Sequence, residues 1–168
     1  MQRFAICLVA SSALALGACA KKAPEELPPA PVATTSPAPA PAPQGAQPGS
    51  QAHFSQAMRG ADTIYFDTDM YDIDSQDAVA LRQQAEYLLQ YSSAGATVQG
   101  HADERGTREY NLALGERRAN AAKNYLVSLG VADSRLRTVS HGEERPVALG
   151  SDEASWAQNR RAVTVMID

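Results

Sequence analysis

The chain has 168 residues, with 15 Lys and Arg against 19 Asp and Glu, and nine of its ten prolines precede residue 50. Residues 53–168 hold 12 Lys and Arg against 17 Asp and Glu, which speaks against a nucleic-acid footprint and against an electrostatic grip on anionic lipid. Two cysteines, Cys7 and Cys19, can build neither a disulfide framework nor a zinc set, whereas a domain of roughly 115 residues can bury a core without either.

In chain order, Arg3 gives a positive start, and Phe4–Leu16 is apolar apart from Ser11 and Ser12. The run falls short of the roughly 20 residues that a membrane-spanning helix needs. It fits the apolar part of a secretory signal, so residues 1–18 are expected to be a leader. A buried core helix is the other reading, but a Pro/Ala tract follows and leaves it nothing to pack against. Leu16-Gly17-Ala18-Cys19 resembles a bacterial lipobox. That resemblance implies cleavage before Cys19 and acyl chains, palmitate among them, on its sulfur and its new amino group. Two or more chains anchor a protein stably where one does not. Ala20, in place of Asp, implies delivery to the outer membrane rather than retention at the inner one.

Residues 19–52 then read as a lipidated cysteine and a tether. From Ala23 to about Ser50 the sequence is mostly Pro, Ala, Gln, Thr, Ser and Gly, with no apolar periodicity to repay the entropy of folding. From Cys19 to His53 such a chain spans about 100 Å fully extended and about 30–35 Å as a coil.

Residues 53–168 carry the pattern of one domain. Thr63-Ile64-Tyr65-Phe66 predicts a strand. Asp72-Ile73-Asp74-Ser75 offers caps for a helix to about Tyr91, with Val79, Leu81, Ala85, Leu88 and Leu89 as its stripe. Ala96–Gln99 is a second strand ending at Gly100. Thr107 caps a long helix to Leu129, where Leu112, Ala119, Ala122, Leu126 and Leu129 share a face and Gly130 stops it. Leu136–Ser140 is a third strand, about 152–158 a short helix, and Ala162–Ile167 a last strand. The order βαβαβ followed by β predicts an α+β sandwich, with helices packed on one mixed sheet.

The chemistry concentrates in Gly100-His101-Ala102-Asp103-Glu104-Arg105-Gly106-Thr107 and in Leu114-Gly115-Glu116-Arg117-Arg118-Ala119-Asn120-Ala121. Asp103 lies in a loop and Arg118 on the helix that the loop opens. Asn111, Leu114 and Arg118 follow at i, i+3 and i+7 and share a stripe of their own. With Leu112 and its companions on the sheet, that stripe faces the Asp103 loop. A helix N-terminus there suits a carboxylate. Arg118 could hold the carboxylate with its two-pronged guanidinium, while Asp103 accepts an ammonium. The residues alone leave a second reading open, an Asp103–Arg118 ion pair that braces the loop.

Other chemistries fit less well. His101 and Asp103 lack third and fourth ligands at metal spacing, so His101 reads as a hydrogen-bonded histidine at a strand end. Asp67, Asp69, Asp72, Asp74 and Asp77 lack the Gly and Glu of a calcium loop. Gly100 and Gly106 read as turn glycines rather than a phosphate loop. Neither a metal nor another cofactor is expected. Adjacent Asp103 and Glu104 cannot flank a glycosidic bond at about 5–9.5 Å, so a hydrolase is the weaker class.

The motif Gly-His-Ala-Asp, followed by Glu-Arg-Arg-Ala-Asn, closely resembles the OmpA-like peptidoglycan-binding domain, over about residues 63–167. The resemblance implies that Asp103 and Arg118 grip diaminopimelate, the amino-acid side chain of peptidoglycan. It also implies that Arg105 helps hold a ligand carboxylate and that Phe66 and Asp67 border the same cleft. Asn111, Leu114 and Thr107 complete the expected site. Asn159-Arg160-Arg161 matches the family's terminal Asn-Arg-Arg and is expected to be architectural. His141 and Trp156 stand where tyrosine is common and are expected to touch no ligand position.

Asp103-Glu104-Arg105-Gly106-Thr107 points, by the same resemblance, to lipoproteins of the Tol system. Their implied partners are the propeller protein TolB and other Tol proteins, and their implied role is in envelope integrity and cell division. The alternative is an OmpA-like envelope lipoprotein outside that system. Loss of Asp103 or Arg118 is expected to weaken binding greatly and spare the fold.

Overall fold

A computed structural model describes residues 45–167. The expected leader, the acylation point Cys19 and the tether up to residue 44 lie outside the described residues.

The first element is a helix, α1 (Gln51–Met58), capped by the Ser50 hydroxyl on the His53 N–H. It starts two residues inside the stretch assigned to the tether. The only apolar signal is Phe54 and Met58 at i and i+4, and both are buried. Full burial of such a side chain is worth about 1.5–3 kcal/mol, which suffices to dock a short helix of otherwise polar sequence. Tyr87 completes the dock: its hydroxyl accepts from the Gly49 N–H and meets His53 Nδ1 at 2.7 Å.

Four strands form one mixed sheet in the order β1 (Thr63–Tyr65), β4 (Arg161–Ile167), β2 (Gly95–His101), β3 (Leu136–Gly142). The β1/β4 and β4/β2 pairs are antiparallel and β2/β3 is parallel. The parallel pair requires a crossover, which α3 (Arg108–Ser128) supplies. The remaining helices are α2 (Ser75–Gln90) and α4 (Glu153–Asn159). This is the expected α+β sandwich of helices on a mixed sheet. Its core gathers Phe54, Ile64, Leu81, Leu88, Val98, Ala119 and Leu126.

Local signals account for most boundaries. Asp74 caps α2 through the Asp77 N–H, and Thr107 caps α3 through the Tyr110 N–H. α3 ends in a Schellman motif. Gly130, at φ 101°, donates to Val127 O, and Val131 donates to Leu126 O.

Two helix faces differ from expectation. On α2, Leu81, Ala85 and Leu88 are buried, whereas Val79 and Leu89 are about half exposed. Val79 lies on the far side of the helix, and the buried stripe is completed by polar Asp77 and Gln84. Gln84 can be buried because it donates to Ala61 O at 2.6 Å and accepts from Thr164 Oγ1 at 2.7 Å. On α3 the two expected stripes are one: Asn111, Leu114, Gly115, Arg118, Ala119, Ala122 and Leu126 are all buried, and Leu112 is only partly so.

That face packs by backbone rather than by side chain. Gly100 is a buried strand residue, not a turn residue, and a Cβ there would collide with the Gly115 carbonyl of α3. A Cβ on Gly115 would in turn collide with Ser140 Oγ. Ser140 bonds Leu112 O at 2.6 Å and fastens the same turn to β3. Two glycines facing each other thus bring α3 down onto β2, and they carry Arg118 inward with it.

Candidate functional site

Arg118 is fully buried. Such a cation persists in a fold only when its donors are satisfied. Its Nε donates to Met70 O at 2.9 Å, Nη1 to His101 O at 2.8 Å and Nη2 to Asp67 O at 3.0 Å. Phe66 covers it, with the ring centroid 5.2 Å from Cζ. Burial lowers the Arg118 pKa to about 10, against the pull of the Asp103 charge, so it stays cationic at neutral pH. Three of five N–H donors are engaged, which leaves one on each terminal nitrogen.

Asp103 does not pair with Arg118. Among the described residues its ion pairs are with Arg105, at 2.7 Å, and Arg160, at 3.4 Å. Arg105 closes a fork, Nε to Oδ1 and Nη2 to Oδ2, and its backbone N–H also donates to Oδ1. Burial works to raise the Asp103 pKa, but the Arg105 and Arg160 hydrogen bonds together outweigh it and hold the carboxyl below its usual range. The direct brace between Asp103 and Arg118 is therefore absent, and each residue is held separately.

Asp103, Arg105, Asn111, Leu114 and Arg118 line one cleft of about 310 Å³. Phe66 and Asp67 instead line an adjoining hollow of about 450 Å³ with Met70, Asp74 and Asp77. The larger hollow lacks Asp103, Arg105 and Arg118, so the smaller cleft is the better candidate. Thr107 lines neither and serves as the cap of α3. Asn111 donates to Arg105 O at 3.1 Å and to Glu143 Oε2, which ties the loop to the region after β3.

His101 gives Arg118 its carbonyl, while its ring lies against that of His141, tilted by 38° with centroids 5.2 Å apart. Contrary to expectation, buried Nδ1 has no hydrogen-bond partner among the described residues. Burial, reinforced by Arg161, His141 and Arg145, lowers the His101 pKa to about 3 and keeps the ring neutral.

Several residues of the site were not anticipated. The loop after β1 supplies a second wall, where Thr68 Oγ1 accepts from Arg105 Nη2 and Asp69 accepts from Tyr110 Oη. Asp69 has φ 58°, a left-handed conformation that aspartate tolerates better than most residues. Its place in the run Asp67-Thr68-Asp69 is the signal that could have marked it. Behind the loop, Arg160 donates to Phe66 O, Asp103 and Glu153. It is architectural, as expected, yet it reaches the expected ligand acid. Trp156, expected to stand clear, lies under Arg105 with Cζ 4.3 Å from its ring centroid.

A sandwich of helices on a β1-β4-β2-β3 sheet, with a charged cleft where β2 meets α3, defines the OmpA-like class of domain. The model of the OmpA family matches residues 65–160. Over 121 residues the chain is 54% identical to the peptidoglycan-associated lipoprotein of Rhizobium meliloti, covering 72% of this chain and 68% of that one. Its identity to the protein of the same name from Pseudomonas aeruginosa is 50% over 117 residues, covering 70% and 68%. The crystal structure of the peptidoglycan-associated lipoprotein from Burkholderia pseudomallei superimposes with a TM-score of 0.61 at 51% identity, covering 62% of this chain and 89% of that one. The chain belongs to the OmpA family and, within it, to the peptidoglycan-associated lipoproteins.

Proposed function

We propose that this protein binds peptidoglycan non-covalently through diaminopimelate and tethers the outer membrane to the cell wall. Cys19 carries the lipid anchor, the tether spans the gap and the domain works in the periplasm. The observation that carries the reading is the cleft itself. It joins Asp103, the one acid aligned with the loop motif, to two guanidiniums of different kinds. Buried Arg118 lines the cleft and keeps one uncommitted N–H on each terminal nitrogen, donors suited to a carboxylate. Arg105 sits at the mouth, and the zwitterionic carbon of diaminopimelate offers both an ammonium and a carboxylate to this set.

Binding without turnover is the accompanying expectation, since the Asp103 carboxylate is already engaged by Arg105 and Arg160 and, among the described residues, no serine or cysteine lines the cleft. Relatives named as peptidoglycan-associated lipoproteins support the polymer as the ligand. The Tol partners, TolB first, and a role in envelope integrity and division rest on the resemblance of the Asp103–Thr107 run.

The test is co-sedimentation of the full chain with purified sacculi. Asp103→Asn keeps the shape and removes the charge, and it should weaken binding roughly ten- to a hundredfold, the worth of a charge-assisted hydrogen bond. Undiminished binding by that variant would contradict the assignment.

A further inference from the structure

Asp103 has no lone pair to spare for a ligand ammonium. A carboxylate offers about four lone-pair positions. On Oδ1 they meet the Arg105 backbone N–H and Nε, each at 3.1 Å. On Oδ2 they meet Arg105 Nη2 at 2.7 Å and Arg160 Nη1 at 3.4 Å. A ligand ammonium must therefore displace one of the two arginines.

Arg160 is poorly placed to yield. It is buried, and its other nitrogens hold Phe66 O and Glu153. Arg105 differs. Its side chain is 37% exposed, it already rests on the Trp156 ring, and its Nη1 lies 3.7 Å from Glu153 Oε2. That distance is too long for a hydrogen bond yet close enough for an ion pair. The indole is held in turn, since Trp156 Nε1 donates to Glu104 Oε1 at 3.0 Å.

Stacking engages only the face of a guanidinium and leaves its N–H edge free to change partners in the plane. We propose that Trp156 and Glu153 form a second berth for Arg105. When a ligand ammonium takes Asp103, the guanidinium slides across the indole toward Glu153 and the ligand carboxylate. One arginine thereby closes the cleft before binding and clamps the ligand after it. The exchange leaves no charge unpaired: the ammonium replaces Arg105 on Asp103, and the ligand carboxylate joins Glu153 on Arg105. Trp156 and Glu153 touch no ligand and are positioning residues. The inference rests on the diaminopimelate reading of the same cleft.

Trp156 is the only tryptophan of the chain, so its emission reports on the berth. The full chain in detergent is titrated with muramyl tripeptide ending in diaminopimelate, with emission and heat followed together. The expected result is a saturable change in emission at the midpoint given by the heat. In Arg105→Ala the heat should persist at weaker affinity while emission stays flat. Trp156→Ala should bind roughly two- to fivefold more weakly, as loss of an exposed cation–π contact implies, and Trp156→Phe should recover most of that. Heat without any change in emission in the wild type overturns the berth and leaves the diaminopimelate reading standing, as does an unchanged emission response in Arg105→Ala. Absence of heat in the wild type overturns both.

Discussion

The cleft has two walls made in opposite ways. One is α3, pressed onto β2 through Gly100 and Gly115, with Arg118 buried and hydrogen-bonded to three backbone carbonyls. The other is made of loops, residues 66–74 and 102–107, joined by side chains: Arg105 to Asp103 and Thr68, Tyr110 to Asp69. Both walls offer a guanidinium, yet only Arg105 has exposed surface and alternative partners. A buried cation bonded to backbone is part of the fold, whereas an exposed cation bonded to side chains can exchange. The site thus combines a fixed anion receptor with an adjustable one.

The difference can be broken most severely at Arg118. Arg118→Ala leaves three carbonyls without their donor and opens the core. It should cost about 3–5 kcal/mol, since each buried acceptor left unsatisfied costs about 1–3 kcal/mol and a cavity is added. Thermal unfolding should register a large fall, and Arg118→Lys should recover little, because one ammonium cannot reach three separate carbonyls in a planar fork. This revises the expectation that loss of Arg118 spares the fold, and it makes Arg118→Ala a poor test of binding. Arg105→Ala, by contrast, should leave the unfolding transition nearly unchanged.

The next effect belongs to the close approach. Gly115→Ala forces a methyl against Ser140 Oγ and the Gly100 carbonyl, so it should destabilise by about 1–3 kcal/mol, read as a lower denaturant midpoint. Gly106→Ala, in the loop wall, is strained by its φ of 109° but meets no backbone, so its cost should be smaller.

Beside the loop wall, pH sensitivity should come from Asp77, which joins α2 to the end of β1 by accepting from the Tyr65 N–H. Burial raises the Asp77 pKa from 3.8 to about 6, against that hydrogen bond. A carboxyl raised in the folded state contributes stability that is complete below its unfolded pKa and is lost as pH rises through the folded one. Stability should therefore decline between about pH 4 and pH 6, and Asp77→Asn should flatten that decline in denaturant titrations. Asp103 acts with the opposite sign: its depressed pKa gives stability above the ordinary carboxylate range that is lost as pH falls through the folded value.

The smallest effect lies where the walls meet. Thr107→Ala removes the cap of α3 and should cost about 1 kcal/mol of stability. Sacculus binding should stay within about twofold, because Thr107 does not line the cleft.

Much of this architecture was legible in the residues. The caps at Asp74 and Thr107 and the Gly130 stop rest on local chemistry, and local chemistry decided them. On β4, by contrast, the apolar alternation of Val163, Val165 and Ile167 misleads: Ala162, Thr164 and Met166 are the buried face and Ile167 is exposed. Asp103, Asn111, Leu114 and Arg118 do line one cleft, as their spacing around one loop and one helix implied, and Arg105, which only the family resemblance suggested, lines it with them. What escaped depended on contacts distant in sequence. Arg118 read as a cation facing the Asp103 loop, free to hold a ligand or to pair with Asp103, since nothing local says that Asp67, Met70 and His101 turn their carbonyls toward it. Arg160 and Trp156 reach Asp103 and Arg105 across more than fifty residues of chain, and α1 was hidden in polar sequence because Phe54 and Met58 are its only apolar signal, the rest of its dock being hydrogen bonds to Tyr87 and Met166.

The central claim is that the cleft reads both ends of the diaminopimelate head group. The most direct measurement compares co-sedimentation of the full chain with sacculi of the diaminopimelate type and with sacculi that carry lysine in its place. Lysine lacks the second carboxylate, so the account requires strong binding to the first polymer and at least tenfold weaker binding to the second, in keeping with one lost charge-assisted hydrogen bond. Equal binding to both would contradict it.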